Sequence, residues 1–527
     1  MRSRTDLDEV GGPHARAGNG LIYAAFCGIS VALTVAARAT APGALAIGLA
    51  LLVLIVAAYA IRPLFGACAT VLFAMVSDNL SAPWYPFVKG FSARESMMFL
   101  SKSIIFSPLE VCMVGGTVGL LIRYLVYGRW PFRFGPVKAP LFSFMFFVLV
   151  GLAYGVFKGG DRKIALFQVR PFFVLFVAYL LIASICRTRN DYKRLLWTAL
   201  AAIEIHAVIA LIHALQLPSA AFETPENLFD HGPIMREDLL FISAIASCVL
   251  WRTARRQRLI TVILVLPVAV VYMLAVRRAS IVALIAAIIL IFIVVFWRQR
   301  RTFLRVVPVF AVLSFGYVGA FWGSQSSLAF PAQAVKSVIS PGQASERNQG
   351  SDEYRTIENY DLNFTMRSNK LLGTGLGQPF YRPVPLPALD GFALNAYLPH
   401  NSVMVIWVWF GFGGFVSFFC LLGRTLMIGA QKVREAADGQ DLSVILTMVC
   451  GVVVFVVFAS VDTAYGHDNM VMFAMCLAAA ANYPTSPRRA TMAIAAPQDV
   501  RSAASPELET SAPQRGHQPP IRKVRTW

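Results

Sequence analysis

Charge is scarce in this chain. Only 14% of its 527 residues are charged, against 57% hydrophobic, where a soluble protein of this length carries about a quarter charged residues. That shortage excludes an ordinary soluble globule. Period-two alternation of apolar and polar residues is also absent, which excludes a membrane barrel. No CxxC pair occurs, and the eight cysteines (Cys27, Cys68, Cys112, Cys186, Cys248, Cys420, Cys450 and Cys476) sit in or beside apolar blocks, so the sequence argues against disulfides and zinc. No internal repeat is visible, which weakens an inverted-repeat transporter. No cleavage site follows the first apolar block, so it reads as a retained helix.

What is present is a series of apolar blocks of about 15–23 residues, the length that crosses or nearly crosses the hydrocarbon core. Each must satisfy its own backbone in lipid, so each is expected to be a helix. The expected fold class is an all-α polytopic membrane protein with about 12–14 transmembrane helices and one long external loop. The candidate spans are 21–37, 43–61, 63–77, 107–127, 140–157, 164–186, 195–215, 238–251, 259–276, 280–297, 306–322, 402–423, 443–461 and 469–483. Those at 63–77 and 238–251 are short enough to be re-entrant or tilted.

The net charge of +19 would suggest nucleic acid in a soluble chain. Here the basic residues cluster between spans, at 123–138, 187–194, 252–258, 298–305 and 424–434, while the loop at 462–468 has no Lys or Arg. This alternation is a positive-inside pattern and places both termini in the cytoplasm. The expected domains are a cytoplasmic segment 1–20, spans over 21–322, a large external loop 323–401, spans over 402–483, and a basic, disordered cytoplasmic tail over 484–527 able to touch anionic lipid. A loop as long as 323–401 is usually functional or disordered. Its opening, Ser324 to Gly350, reads as flexible. From Asp352 to Lys370, Tyr354, Ile357, Leu362 and Phe364 fall near one helical face.

Several polar residues are assigned to the external side. His400 and Asn401 stand where a span begins; alone, such a His is more often an interfacial cap. Gly411, Gly413 and Gly414 follow about three turns deeper, where they would admit a helix or a lipid chain. Arg277 and Arg278 run against the positive-inside bias, either as residues snorkelling to headgroups or as an anion clamp. Arg170 lies about two turns inside its span, either in an ion pair with Glu110 or Glu204 or as a functional charge. Arg355, with Glu358 one turn on, is a solvated loop charge or part of the same site. A basic, His-containing site at a membrane face suits a lipid-linked diphosphate. Arginines would hold the leaving group, and a neutral His would take a proton from an attacking hydroxyl.

His400-Asn401, nine residues, then Gly411-Phe412-Gly413-Gly414 resembles the signature of the O-antigen ligase and O-antigen polymerase superfamily. The segment YRTIENYDLNF followed by NKLLGTGLGQPF is similar to that family's loop, where an Arg-containing helix precedes a turn here formed by Leu372, Gly373, Gly375 and Gly377. The run VRRASIVAL resembles the family's Ser-Arg start of a span, with Arg277 in place of Ser. The likeness covers roughly 260–425.

The resemblance implies a metal-independent, cofactor-free glycosyltransferase of the bacterial inner membrane, with its active site on the periplasmic face. It would move a glycan from undecaprenyl diphosphate to a hydroxyl acceptor, either lipid A–core or another lipid-linked glycan. By the resemblance His400 is the base, Arg278 and Arg170 bind the diphosphate, and Arg355 touches glycan or diphosphate. Other polysaccharide-assembly proteins are implied partners; nucleic acid is not. A glycan transporter or flippase, or a scaffold for polysaccharide export, are the readings of other classes.

Overall fold

The computed structural model describes residues 43–76, 107–216, 235–250, 255–274, 277–324, 326–340, 346–387 and 394–485. The expected span 21–37, the segment 1–20 and the tail beyond 485 lie outside them. Among the described residues the chain is helical, with no strand.

Local chemistry sets the helix ends. Helix α1 (Gly43–Ile61) passes to α2 (Pro63–Val76) through Arg62, with Pro63 at the first helical position, where its missing N–H is not needed. Helix α3 (Pro108–Tyr127) opens on a reciprocal capping box between Ser107 and Glu110, and stops at Gly128, whose φ of 65° suits glycine. Helix α4 (Lys138–Phe157) leads to α5 (Arg162–Ile185), where the Asp161 carboxylate accepts from the N–H groups of Lys163 and Ile164. Then come α6 (Arg189–Gln216), α7 (Met235–Val249), α8 (Arg255–Leu274), α9 (Arg278–Arg298) and α10 (Arg300–Phe321). A short α11 (Phe330–Ile339) and the polar α12 (Glu346–Ser368) precede α13 (Ser402–Glu435), α14 (Gly439–Ala459) and α15 (His467–Asn482).

Eight of these helices are long and apolar enough to cross a membrane: α3, α4, α5, α6, α9, α10, α13 and α14. Shorter apolar helices lie within α1, α2 and α8. Apolar side chains face outward, Phe157 being 89% exposed and Phe315 78%, and α10 buries no residue at all. Lipid is the solvent that makes such a surface stable.

Helices α14 and α15 form the centre. Phe455 of α14 stacks on Phe473 of α15 with centroids 3.8 Å apart. Helix α15 packs on α5, α13 on α4, and α9 on α14.

One end of the bundle gathers the basic residues. The Arg298 guanidinium donates to the carbonyls of Val433, Arg434 and Ala436 at 2.6–2.9 Å, serving helix-end groups that have no intrahelical partner. Arg189 and Lys193 meet Asp441 at 2.8 and 2.9 Å.

The flexible opening expected at 324–350 is corrected over 330–339, which form α11. Its Ala332 and Ala334 are buried, and small residues of this kind mask an apolar face in a polar stretch.

Candidate active site

At the end of the bundle opposite Arg298, α12 lies against the start of α13. The buried Glu358 carboxylate, 1% exposed, accepts from the backbone N–H of His400 at 2.9 Å and lies 3.2 Å from its Nδ1. With the carboxylate accepting, Nδ1 carries the proton and the neutral ring's lone pair falls on Nε2. Tyr354, one turn earlier on α12, sets its ring edge-on to His400 at 5.5 Å. Burial pushes the Tyr354 phenol up, and the Glu358 charge pushes it further. Asn401 caps α13 by accepting from Met404 N–H at 3.1 Å, and its amide donates to Asn359 of α12 at 3.0 Å.

The arginines converge on the same place. Arg277 and Arg355 approach one carboxylate, Asp462, at 3.6 and 3.7 Å. Two guanidinium groups around one carboxylate leave a net positive charge. Arg278 makes a two-pronged pair with Asp352 of α12, at 3.0 and 2.8 Å. Ser402 locks the turn that carries Asp462: its hydroxyl donates to the Asp462 carbonyl at 3.1 Å and accepts from Ala464 N–H at 2.9 Å. Arg170 stands beside this turn and pairs with Glu110 at 3.4 Å, the structural alternative weighed for it from the sequence. Arg355 does not pair with Glu358, which is committed to His400.

The glycine motifs shape the floor. The turn over 371–377 is wedged between α4, α5 and a break in α13. Leu376 N–H donates to the Gly151 carbonyl at 3.0 Å, Thr374 N–H to the Val408 carbonyl at 2.7 Å, and Gly377 N–H to the Gln168 side chain at 2.7 Å. At Gly411, φ is 68° and an added Cβ would lie 2.0 Å from the Leu371 oxygen. At Gly375, φ is 84° and a Cβ would lie 2.4 Å from Gly155 N. Gly373 also has positive φ, while Gly413 and Gly414 face Phe147. The expectation that Gly411 admits a helix or a lipid chain is therefore corrected: it admits the chain's own glycine turn.

Behind α12, Asp361 accepts from Val384 N–H at 3.2 Å, and burial pushes its carboxyl up. Arg382 lies over the Phe380 ring at 4.7 Å.

A second polar cluster lies among α2, α6, α7 and α15. Arg236 donates to the Met75 carbonyl at 3.0 Å, to Asp468 at 3.3 Å and to His206 Nε2 at 2.8 Å. His206 Nδ1 lies 3.3 Å from Glu237. Because guanidinium only donates, His206 accepts through Nε2. Asp238 accepts from Tyr272 OH at 2.7 Å. His206 thus faces Arg236 and Glu237.

Sequence reasoning missed Asp352, Asp462, Ser402, Gln168 and Arg236. Two signals were there: a loop at 462–468 with acids and no Lys or Arg, and three consecutive charges at 236–238 just before an apolar block. Fold and cluster together define a polytopic helical membrane protein with a His–carboxylate pair and arginines at one end of its bundle. No family model matches the chain, and no curated protein matches it.

Proposed function

We propose that the chain is a membrane glycosyltransferase of the O-antigen ligase and polymerase kind, moving a glycan from undecaprenyl diphosphate to a hydroxyl acceptor at the periplasmic face of a bacterial inner membrane. The observation that carries this reading is the meeting of His400, backed by Glu358, with Arg277 and Arg355 about Asp462. These residues come from distant parts of the sequence, and their chemistry is complementary.

In the proposed reaction His400 Nε2 takes the proton of the acceptor hydroxyl. The oxygen attacks the anomeric carbon, and the bond from that carbon to the diphosphate oxygen breaks. Glu358 stabilises the imidazolium that forms, as a carboxylate behind a His does in other base-catalysed transfers. Guanidinium groups stabilise the charge growing on the departing diphosphate. The test is transfer from a lipid-linked glycan by His400→Ala in membranes. Loss of transfer with normal insertion is expected; retained transfer would reduce His400 to an interfacial cap.

Transport of a lipid-linked glycan is the second reading. The buried charges of Arg236, Glu237 and Asp468 favour it, since charge within the apolar layer is costly. All three are engaged with one another or with His206, the arrangement a structural network also needs. Flux into vesicles by a His400→Ala protein devoid of transfer activity would favour transport.

A further inference from the structure

Arg278 is held in this structure by a group shaped like the ligand proposed for it. The two oxygens of Asp352 face two nitrogens of its guanidinium at 3.0 and 2.8 Å, the fork geometry in which arginine also takes a phosphate. The Asp352 side chain is 43% exposed and that of Arg278 only 14%. The carboxylate is therefore the more open member of the pair. Arg277, next in sequence, is engaged differently: its contact with Asp462 is 3.6 Å long and shared with Arg355.

We infer that Asp352 is an internal competitor for the diphosphate site, so that an arriving diphosphate and the Asp352 carboxylate exchange places on Arg278. This rests on the reading of Arg278 as an anion clamp and adds to it a residue that opposes binding. The exchange makes no covalent change. It substitutes one anion for another on the same fork and frees the early part of α12 from the start of α9.

The test measures binding of inorganic pyrophosphate to the full-length protein in phosphatidylcholine nanodiscs, with helix content and melting temperature checked for each variant. Removing a partly exposed carboxylate partner is worth about a threefold to fivefold change. Asp352→Asn should bind pyrophosphate tighter by about that factor, and Asp352→Glu should stay near the parent protein. Adding Arg278→Ala to Asp352→Asn should erase the gain. Binding that is unchanged or weaker in a well-folded Asp352→Asn protein overturns the inference. So does a gain that survives Arg278→Ala, since removal of any negative charge would then explain it. A gain that disappears when anionic phosphatidylglycerol replaces phosphatidylcholine assigns the place on Arg278 to a phospholipid headgroup and also overturns it.

The readout is binding of a small anion, so it stands apart from the transfer assay. Absent transfer with the expected pyrophosphate pattern would defeat the glycosyltransferase reading and leave the competition intact.

Discussion

Glu358 holds His400 twice, through its backbone N–H at 2.9 Å and through Nδ1 at 3.2 Å. One buried carboxylate thereby fixes both the position of the residue and the tautomer of its ring. Glu358→Gln keeps a hydrogen-bonding group of the same size but removes the charge that would stabilise an imidazolium. Transfer in Glu358→Gln is expected to fall about 10²-fold or more, the scale of general-base assistance, with the donor KM little changed. A steady-state comparison of kcat and KM checks this. A change confined to KM would mean that Glu358 only shapes the donor site.

Arg278 meets its partner through two parallel contacts, a geometry the single ammonium of lysine does not reproduce. Arg278→Lys should therefore lose most transfer activity despite keeping its charge. Full activity in that variant would leave Arg278 a general electrostatic role.

Glycines of α13 should differ sharply in tolerance. An added Cβ at Gly411 meets the Leu371 oxygen at 2.0 Å on a backbone with φ of 68°, whereas at Gly423 it meets nothing within 4 Å. Gly411→Ala is expected to destabilise by at least about 1–3 kcal/mol. Gly423→Ala should be neutral or stabilising by about 0.4–1 kcal/mol. Melting temperatures in detergent separate the two, and equal behaviour would contradict the close approach of the glycine turn.

Single cysteines on a cysteine-free background test the orientation. The positive-inside pattern puts Asp352 outside and Asp438 inside. Asp352→Cys should react with a membrane-impermeant maleimide in intact cells, and Asp438→Cys only after permeabilisation. Reversed labelling would turn the proposed site toward the cytoplasm.

Most of the described helices were legible because their apolar blocks are long and continuous, and α12 because Tyr354, Ile357 and Leu362 keep a helical spacing through a polar stretch. Helix α11 was not, since its buried face relies on alanines. In the candidate site, His400, Arg277, Arg278 and Arg355 stood out as basic groups on one expected face. Their partners did not. Asp352 and Asp462 look like ordinary loop acids until the fold sets them opposite guanidinium groups. Glu358 was visible one turn on from Arg355, but its partnership with His400 was not, because helical spacing reports neighbours along α12 and says nothing of α13. Arg236 and Glu237 fell just outside the apolar block that marked α7, so their burial was hidden.

The wedge over 371–377 also bears on how the protein is made. Its partners Gly151 and Gln168 belong to α4 and α5, and Gln168 precedes Gly377 by 209 positions. During synthesis, α4 and α5 emerge long before the segment that fills the slot between them. Until it arrives, the Gln168 side chain and the Gly151 carbonyl lack these partners, in surroundings where an unsatisfied polar group is costly. The earliest part of the site scaffold is thus completed by one of its latest parts, and a nascent chain stopped before residue 371 holds an unfinished bundle.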